Sequence, residues 1–331
     1  MNYKMKVNTG IVGTGSWGLA LAIALSKSNC KVTLFFNSED SLSKAKINRT
    51  SKYLTGVKIP NNIDITGNLK DLDKTHYIFL VTPSQKIRKN IVLIKQNLGK
   101  NKKFVICSKG IENKTNKLMS EVLLDIMPGS VPTILSGPNF SDEVAKDLPT
   151  AFVLSSTNQS ILLELGNAIT NKNFRPYFNN DIIGTQIGGA LKNVIAIACG
   201  IVSGRGLGEN ARSSVMTRGL KEIMTLGIKM GADEKTFKGL SGIGDLNLSC
   251  NSLKSRNMSL GYKLGKRILL SEIILENNLN EGLNSCKAIC ALGKEHGVDL
   301  PICNAVKEIL DGKSISHVIY NLLSRPLQFE I

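Results

Sequence analysis

Along the first half of the chain, short runs of apolar, β-branched and aromatic residues alternate with stretches whose apolar positions recur at helical spacing. The runs cover residues 9–12, 31–36, 77–81, 104–107, 132–136, 151–155 and 174–178, most of them bounded by Gly, Pro, Asn or Ser. Such alternation predicts a doubly wound parallel sheet, because each buried parallel strand needs a crossover helix to return the chain. After about residue 180 the rhythm stops. Helical periodicity takes over at 181–202, 210–230, 259–270 and 281–296, so the second half is expected to be all helical. No internal repeat or low-complexity linker separates the halves. They are expected to form two packed domains, 1–180 and 181–331, with a ligand cleft between them.

Composition narrows the picture without overturning it. A chain of 331 residues that is 42% hydrophobic can bury the cores of two domains. Lys4 and Lys6 flank only a short segment, so no signal peptide is expected. The apolar stretch 182–202 is interrupted by Gln186, Lys192 and Asn193, which fits a buried helix better than a membrane span. Seven cysteines without a CxxC pair and three scattered histidines suggest neither a disulfide framework nor a metal site, and fit a reducing cytoplasm. The net charge of +16 comes from lysines spread over the whole chain, and aromatics make up only 5% of it. That pattern lacks the stacking platforms of a nucleic-acid binder and suits attraction of a small anionic ligand.

The first chemical signal is Gly13-Thr14-Gly15-Ser16-Trp17-Gly18, which follows the apolar Ile11-Val12 and opens the helix-compatible stretch from Leu19 to Leu25. Between a strand and a helix, a GxGxxG turn lets backbone N–H groups and the helix N-terminus meet a pyrophosphate, the Rossmann-type arrangement for NAD or NADP. About twenty residues on, the second strand ends in Asn37-Ser38-Glu39-Asp40, where a carboxylate that reads the ribose is expected. Glu39 or Asp40 can serve there, or both can be helix N-terminal acids favoured by the dipole. No Arg stands at this strand end to pair with a 2′-phosphate, which leans the cofactor towards NAD.

Further strings follow in order: Ser108-Lys109-Gly110-Ile111-Glu112, Ser136-Gly137-Pro138-Asn139-Phe140, Gly188-Gly189-Ala190-Leu191-Lys192-Asn193, Gly242-Ile243-Gly244-Asp245-Leu246 and Ser255-Arg256-Asn257. With the glycine turn, this series resembles the NAD(P)-dependent glycerol-3-phosphate dehydrogenases of bacterial type, over roughly residues 7–325. The resemblance implies reversible reduction of dihydroxyacetone phosphate to glycerol 3-phosphate for phospholipid synthesis, with a small phosphate substrate as the partner. Lys192 is then the general acid in reduction and the base in reverse, a task that suits a lysine whose burial or neighbours lower its pKa.

The same resemblance implies that Asn193 and Asp245 orient the lysine and the substrate, that Ser249 supplies the substrate-site hydroxyl four residues after that Asp, and that Ser255, Arg256 and Asn257 form the phosphate end of the pocket. It places Lys109 beside both substrate and nicotinamide, Gly137 and Asn139 by the substrate, and Ser141 by the cofactor. Gly13, Gly15, Ser16, Trp17, Gly18 and Asn37 line the cofactor on one side, and Leu279, Glu281 and Arg256 on its other flank. Three positions depart from the family pattern: Asn139 stands where Thr is usual, Ser141 where Ala is usual, and Asn37 where Arg or His is frequent. No metal is expected, and a homodimer is compatible with the apolar faces of the C-terminal helices. The nearest rival is a β-hydroxyacid or ketopantoate-type reductase, which shares the mechanism but has no need of the Ser255-Arg256-Asn257 phosphate site. A nucleotide sensor would not require Lys109, Lys192, Asp245 and Arg256 together.

Overall fold

The structure is a computed structural model that describes residues 6–99, 101–276, 280–327 and 329. The strands are β1 (Val7–Val12), β2 (Cys30–Phe35), β3 (Ile63–Thr66), β4 (Tyr77–Leu80), β5 (Lys103–Ile106), β6 (Thr133–Ser136), β7 (Thr150–Ser155) and β8 (Phe174–Asn179). They form one sheet in the order β3-β2-β1-β4-β5-β6-β7-β8. Every neighbouring pair is parallel except β6 and β7, which run antiparallel with Leu135 opposite Leu154. The expectation of a wholly parallel sheet is corrected there. Between β6 and β7 the chain makes only one short helix, too little for a crossover, so it reverses beside β6 instead.

Helices cover both faces of the sheet. On one face α1 (Ser16–Ser26), α2 (Glu39–Asn48), the short α5 (Ser141–Ala145) and α6 (Gln159–Ile169) bury Leu19, Leu21, Ala45, Val144 and Leu165 against Ile11, Val32 and Phe152. On the other, α3 (Ile87–Asn97) and α4 (Met119–Ile126) bury Ile87, Ile91, Val122 and Leu123 against Ile78, Leu80, Phe104 and Ile106. Strand β4, covered on both sides, is apolar at every position and fully buried, as a central parallel strand requires.

The second half is helical: α7 (Ile182–Gly204), α8 (Gly208–Lys229), α9 (Glu234–Phe237), α10 (Asp245–Cys250), α11 (Arg256–Gly265), α12 (Leu270–Glu276), α13 (Glu281–Glu295), α14 (Pro301–Leu310) and α15 (Ile315–Leu323). Its axis is α7. This helix is long and apolar enough to cross a membrane by composition, but 94% of its most apolar window is buried inside the fold. The single helix expected over 259–270 is instead α11 and α12. The break falls at Arg267 (φ 67°), where Ile268 N donates to Lys263 O and Arg267 N to Leu264 O, the paired bonds of a Schellman stop.

Helices α7 and α11 touch backbone to backbone. A Cβ on Gly200 would lie 2.2 Å from Met258 O and one on Gly204 2.2 Å from Tyr262 O, while Cβ atoms on Gly261 and Gly265 would lie 2.0 Å from Ile197 O and 2.6 Å from Ile201 O. Four glycines at helical spacing thus let the two backbones meet along this seam. The halves are also joined by Gln186 of α7, whose amide donates to Ser120 Oγ (2.8 Å) and accepts from Ser120 N (3.0 Å) on α4.

Candidate active site

The chain runs from β1 through β2 and β3 to one side of β1, then crosses to β4 on its other side. Ligands of open α/β sheets bind outside the carboxyl ends of the strands at such a reversal. The Gly13–Gly18 turn sits at that point, and each glycine there has a different physical reason. Gly13 has φ 121°, and a Cβ on it would meet Val81 O at 2.5 Å, just past the end of β4. A Cβ on Gly18 would lie 1.8 Å from Gly13 O, so the third glycine lets α1 close onto the turn. A Cβ on Gly15 would meet nothing within 4 Å, so this backbone faces open space at the start of α1. No acidic side chain stands in the first turn of α1, which leaves its N–H groups and dipole available to a phosphate. Trp17 Nε1 is buried without a hydrogen-bond partner among the described residues. An open glycine, an unopposed helix N-terminus and a waiting indole donor fit a dinucleotide.

Asn37 is exposed just beyond β2, and Glu39 and Asp40 occupy the first turn of α2. Leu279, placed by the sequence on the cofactor's other flank, lies outside the described residues. Glu281 begins α13, and its carboxylate reaches the sheet domain, accepting from Ser84 N (3.0 Å) and Ser84 Oγ (2.5 Å) just after β4. Burial raises the Glu281 pKa, against the opposing effect of the Ser84 bonds and Arg256. Gly110 is pressed into the same contact: a Cβ on it would fall within 2.7 Å of Ser84 Oγ, Glu281 Oε2 and Ser285 Oγ. Ser84 and Ser285 were not singled out from sequence, and Gly110 entered only as part of the Ser108–Glu112 string. Ser84 and Gly110 follow strand ends, where a search could begin, whereas Ser285 carries no local signal.

The remaining residues converge on one buried carboxylate. Asp245, 1% exposed at the start of α10, accepts from Lys192 Nζ at 2.8 Å through Oδ1 and from Lys109 Nζ at 2.7 Å through Oδ2. Lys192 lies midway along α7, 8% exposed, and donates a second bond to Ser249 Oγ at 2.7 Å. Lys109, after β5, donates its second bond to the carbonyl of Gly137 at 2.8 Å, after β6. An ammonium has three donors, so each lysine keeps one beyond these bonds. Burial pulls the Lys109 pKa down to about 8; Asp245 opposes the fall and the nearby Lys192 adds to it. Burial alone would push the Asp245 carboxyl up, but the two ammonium groups outweigh it and the pKa is lowered.

Two asparagines tie this cluster to the helical half. Asn193 donates to Lys109 O (3.0 Å) and accepts from Asn257 Nδ2 (2.9 Å), and Asn257 Oδ1 accepts from Gly282 N (3.1 Å). Asn257 is therefore largely engaged within the protein, and Ser255 caps α11 with its hydroxyl accepting from Met258 N at 3.4 Å. What remains open at this end is the N-terminus of α11, where Arg256 is exposed within the field of Glu281. A helix N-terminus beside a guanidinium has the chemistry to take a phosphate. Gly137 has φ 129°, and a Cβ there would press on Phe152 Cα at 3.1 Å. Both polar atoms of the Asn139 side chain are buried without partners among the described residues, and Ser141 opens α5. A cavity of about 960 Å³, lined by Leu163, Phe178, Asp181 and Asp233, lies at the β8 edge, away from this chemistry.

A Rossmann-type sheet whose strand ends meet a buried, carboxylate-held lysine from a helical half defines a two-domain nicotinamide-nucleotide dehydrogenase. Residues 8–162 match the N-terminal part, and residues 181–320 the C-terminal part, of NAD-dependent glycerol-3-phosphate dehydrogenase. The chain belongs to that family. The glycerol-3-phosphate dehydrogenase (NAD(P)+) of Parvibaculum lavamentivorans is 40% identical to it, with 97% of each chain covered. A solved glycerol-3-phosphate dehydrogenase from Coxiella burnetii superposes with a TM-score of 0.93 at 32% identity, covering 97% of this chain and all of that one. A ketopantoate reductase from Ralstonia eutropha shares the fold alone, with a TM-score of 0.60 at 10% identity over 92% of this chain and 97% of that one.

Proposed function

We propose that this chain reduces dihydroxyacetone phosphate to glycerol 3-phosphate, reversibly, with Lys192 as the proton donor. The observation that carries this reading is the pair of lysines, Lys192 buried and Lys109 partly so, on Asp245, each with one N–H left for a ligand. A bound reduced nicotinamide supplies the hydride to the carbonyl carbon. As negative charge develops on the ketone oxygen, Lys192 passes it a proton, and Asp245 stabilises the ammonium before transfer. In the reverse direction neutral Lys192 accepts the proton from the hydroxyl. Lys109 provides a second positive charge at the same oxygen or its neighbour, and Asn193 holds the Lys109 backbone in place. Arg256 and the first N–H groups of α11 take the phosphate, with Asn257 fixing that helix end to Asn193.

The division of labour follows residues 1–180 for the dinucleotide and 181–331 for substrate and proton transfer. The product is a phosphorylated triol suited to phospholipid synthesis, and the work is assigned to the cytoplasm. The test is reduction of dihydroxyacetone phosphate followed by loss of reduced-nicotinamide absorbance, with Lys192→Ala as control. Removing a general acid costs on the order of 10²- to 10⁴-fold in turnover. Equal turnover of unphosphorylated dihydroxyacetone would refute the role of Arg256, and full activity of Lys192→Ala would refute the proton donor.

A further inference from the structure

The corner that receives the adenosine ribose is built from neutral and acidic groups, and we infer that this chain discriminates in favour of NADH, with Glu39 and Asp40 repelling a 2′-phosphate. This deepens the proposed function, since it presumes that a nicotinamide dinucleotide occupies the glycine turn. The strand next to that turn is β2, and the residue standing exposed at its carboxyl end is Asn37. An amide there can accept from and donate to ribose hydroxyls, but it brings no charge to a phosphate.

Two residues later α2 begins. Its N-terminus would by itself attract a phosphate, but Glu39 and Asp40 fill its first turn and reverse the sign of the local field. The opposite wall is the turn after β3, fixed to the β2 end by Phe36 N donating to Thr66 O at 2.9 Å. That wall carries Asp71, bonded to Thr66 and Asn68, so Lys70 adds no net positive charge to it. Gly67 closes the corner from below, where a Cβ would meet Leu42 of α2 at 2.5 Å.

The cation one would recruit is Arg49, and it is committed elsewhere. Its guanidinium donates to the carbonyls of Ile59 (3.1 Å), Pro60 and Ile63 (2.9 Å), pinning the loop that follows α2. Lys44 and Lys46 lie more than a turn further along α2, towards its C-terminus. A 2′-phosphate entering here would therefore lose its hydration against two carboxylates, with no guanidinium in exchange.

Trp17, the chain's single tryptophan, sits in the glycine turn and gives a binding signal independent of turnover. Titrating its fluorescence at low salt with NADH and with NADPH should show NADH bound at least about tenfold more tightly. The preference should narrow as salt is added. Glu39→Gln with Asp40→Asn should cut the ratio several-fold by strengthening NADPH binding, and Asn37→Arg should cut it further. Equal affinities, or tighter NADPH binding by the wild-type chain, overturn this inference and leave the proposed function standing. Failure of both dinucleotides to quench, alongside no reduction of dihydroxyacetone phosphate, overturns both together.

Discussion

Replacing Asp245 by Asn tests the electrostatic centre of the site. The change keeps the shape of the side chain but removes the charge that two ammonium groups share at 2.7 and 2.8 Å. Breaking a buried ion pair from one side costs about 3–5 kcal/mol, because the other charge stays buried without compensation. Here the loss has an outlet. Lys109 already titrates at about 8 with Asp245 present, so without the carboxylate it sheds its proton more readily still. At high pH Lys109 is neutral in either protein, and the Asp245→Asn penalty should shrink. At low pH Lys109 is charged even without the carboxylate, and the penalty should approach its full size. Urea unfolding at several pH values measures this directly. Adding Lys109→Met to Asp245→Asn should recover much of the loss, since it removes one of the orphaned charges. A penalty that is flat or grows with pH, together with a double variant no more stable than Asp245→Asn alone, would refute this electrostatic account. Turnover should fall by roughly 10²-fold or more while dinucleotide binding, read from Trp17, is retained.

Other consequences can be checked separately. On the proposed function a charged Lys109 meets the anionic substrate, so affinity for dihydroxyacetone phosphate should weaken as pH rises through about 8; Lys109→Arg, which stays protonated, should remove that limb from the KM profile. Gly15→Ala should leave the melting temperature of the ligand-free protein nearly unchanged yet weaken dinucleotide binding, because its Cβ enters open space. Gly18→Ala, whose Cβ would overlap Gly13 O at 1.8 Å, should destabilise the fold by about 2 kcal/mol or more in the same melting assay. Glu222, 5% exposed on α8, accepts from Ile302 N and Cys303 N at the start of α14, and burial lifts its pKa to about 7. For an acid whose pKa is raised by folding, stability is lost as pH climbs from its unfolded value to its folded one. Glu222→Gln should therefore erase about 3 kcal/mol of decline between pH 4.5 and 7, visible in the difference between the two stability curves.

Much of the fold was legible in the sequence because its central strands are buried on both faces and read as apolar runs, as β4 does. Strand β3 escaped because Ile63-Asp64-Ile65-Thr66 is four residues long and half polar, and its pairing with β2 is a tertiary fact. The reversal of β7 escaped for a related reason: strand direction depends on how far the intervening chain can travel, and composition does not report it. Around the site, the glycine turn and the strings bearing Lys109, Lys192 and Asp245 were readable as motifs. That one carboxylate serves both lysines was not, since 136 residues separate Lys109 from Asp245. Nor did the Ser255-Arg256-Asn257 string reveal that its first hydroxyl caps α11, or that Asn257 faces Asn193 while Arg256 alone stays exposed.

The glycine seam between α7 and α11 works as a ruler. The two helices run parallel through it, and Lys192 and Arg256 both stand on its N-terminal side, one on each helix, next to the Asn193–Asn257 bond. The spacing of the two backbones that carry them is therefore set by main-chain contact and depends little on repacking in the surrounding core. On the proposed roles of Lys192 and Arg256, that spacing sets the length of substrate, from reacting carbonyl to phosphate, that the site accepts. Redesign towards longer phosphorylated ketones would have to begin at Gly200, Gly204, Gly261 and Gly265, by prying two helices apart, and not in the pocket that the substrate touches.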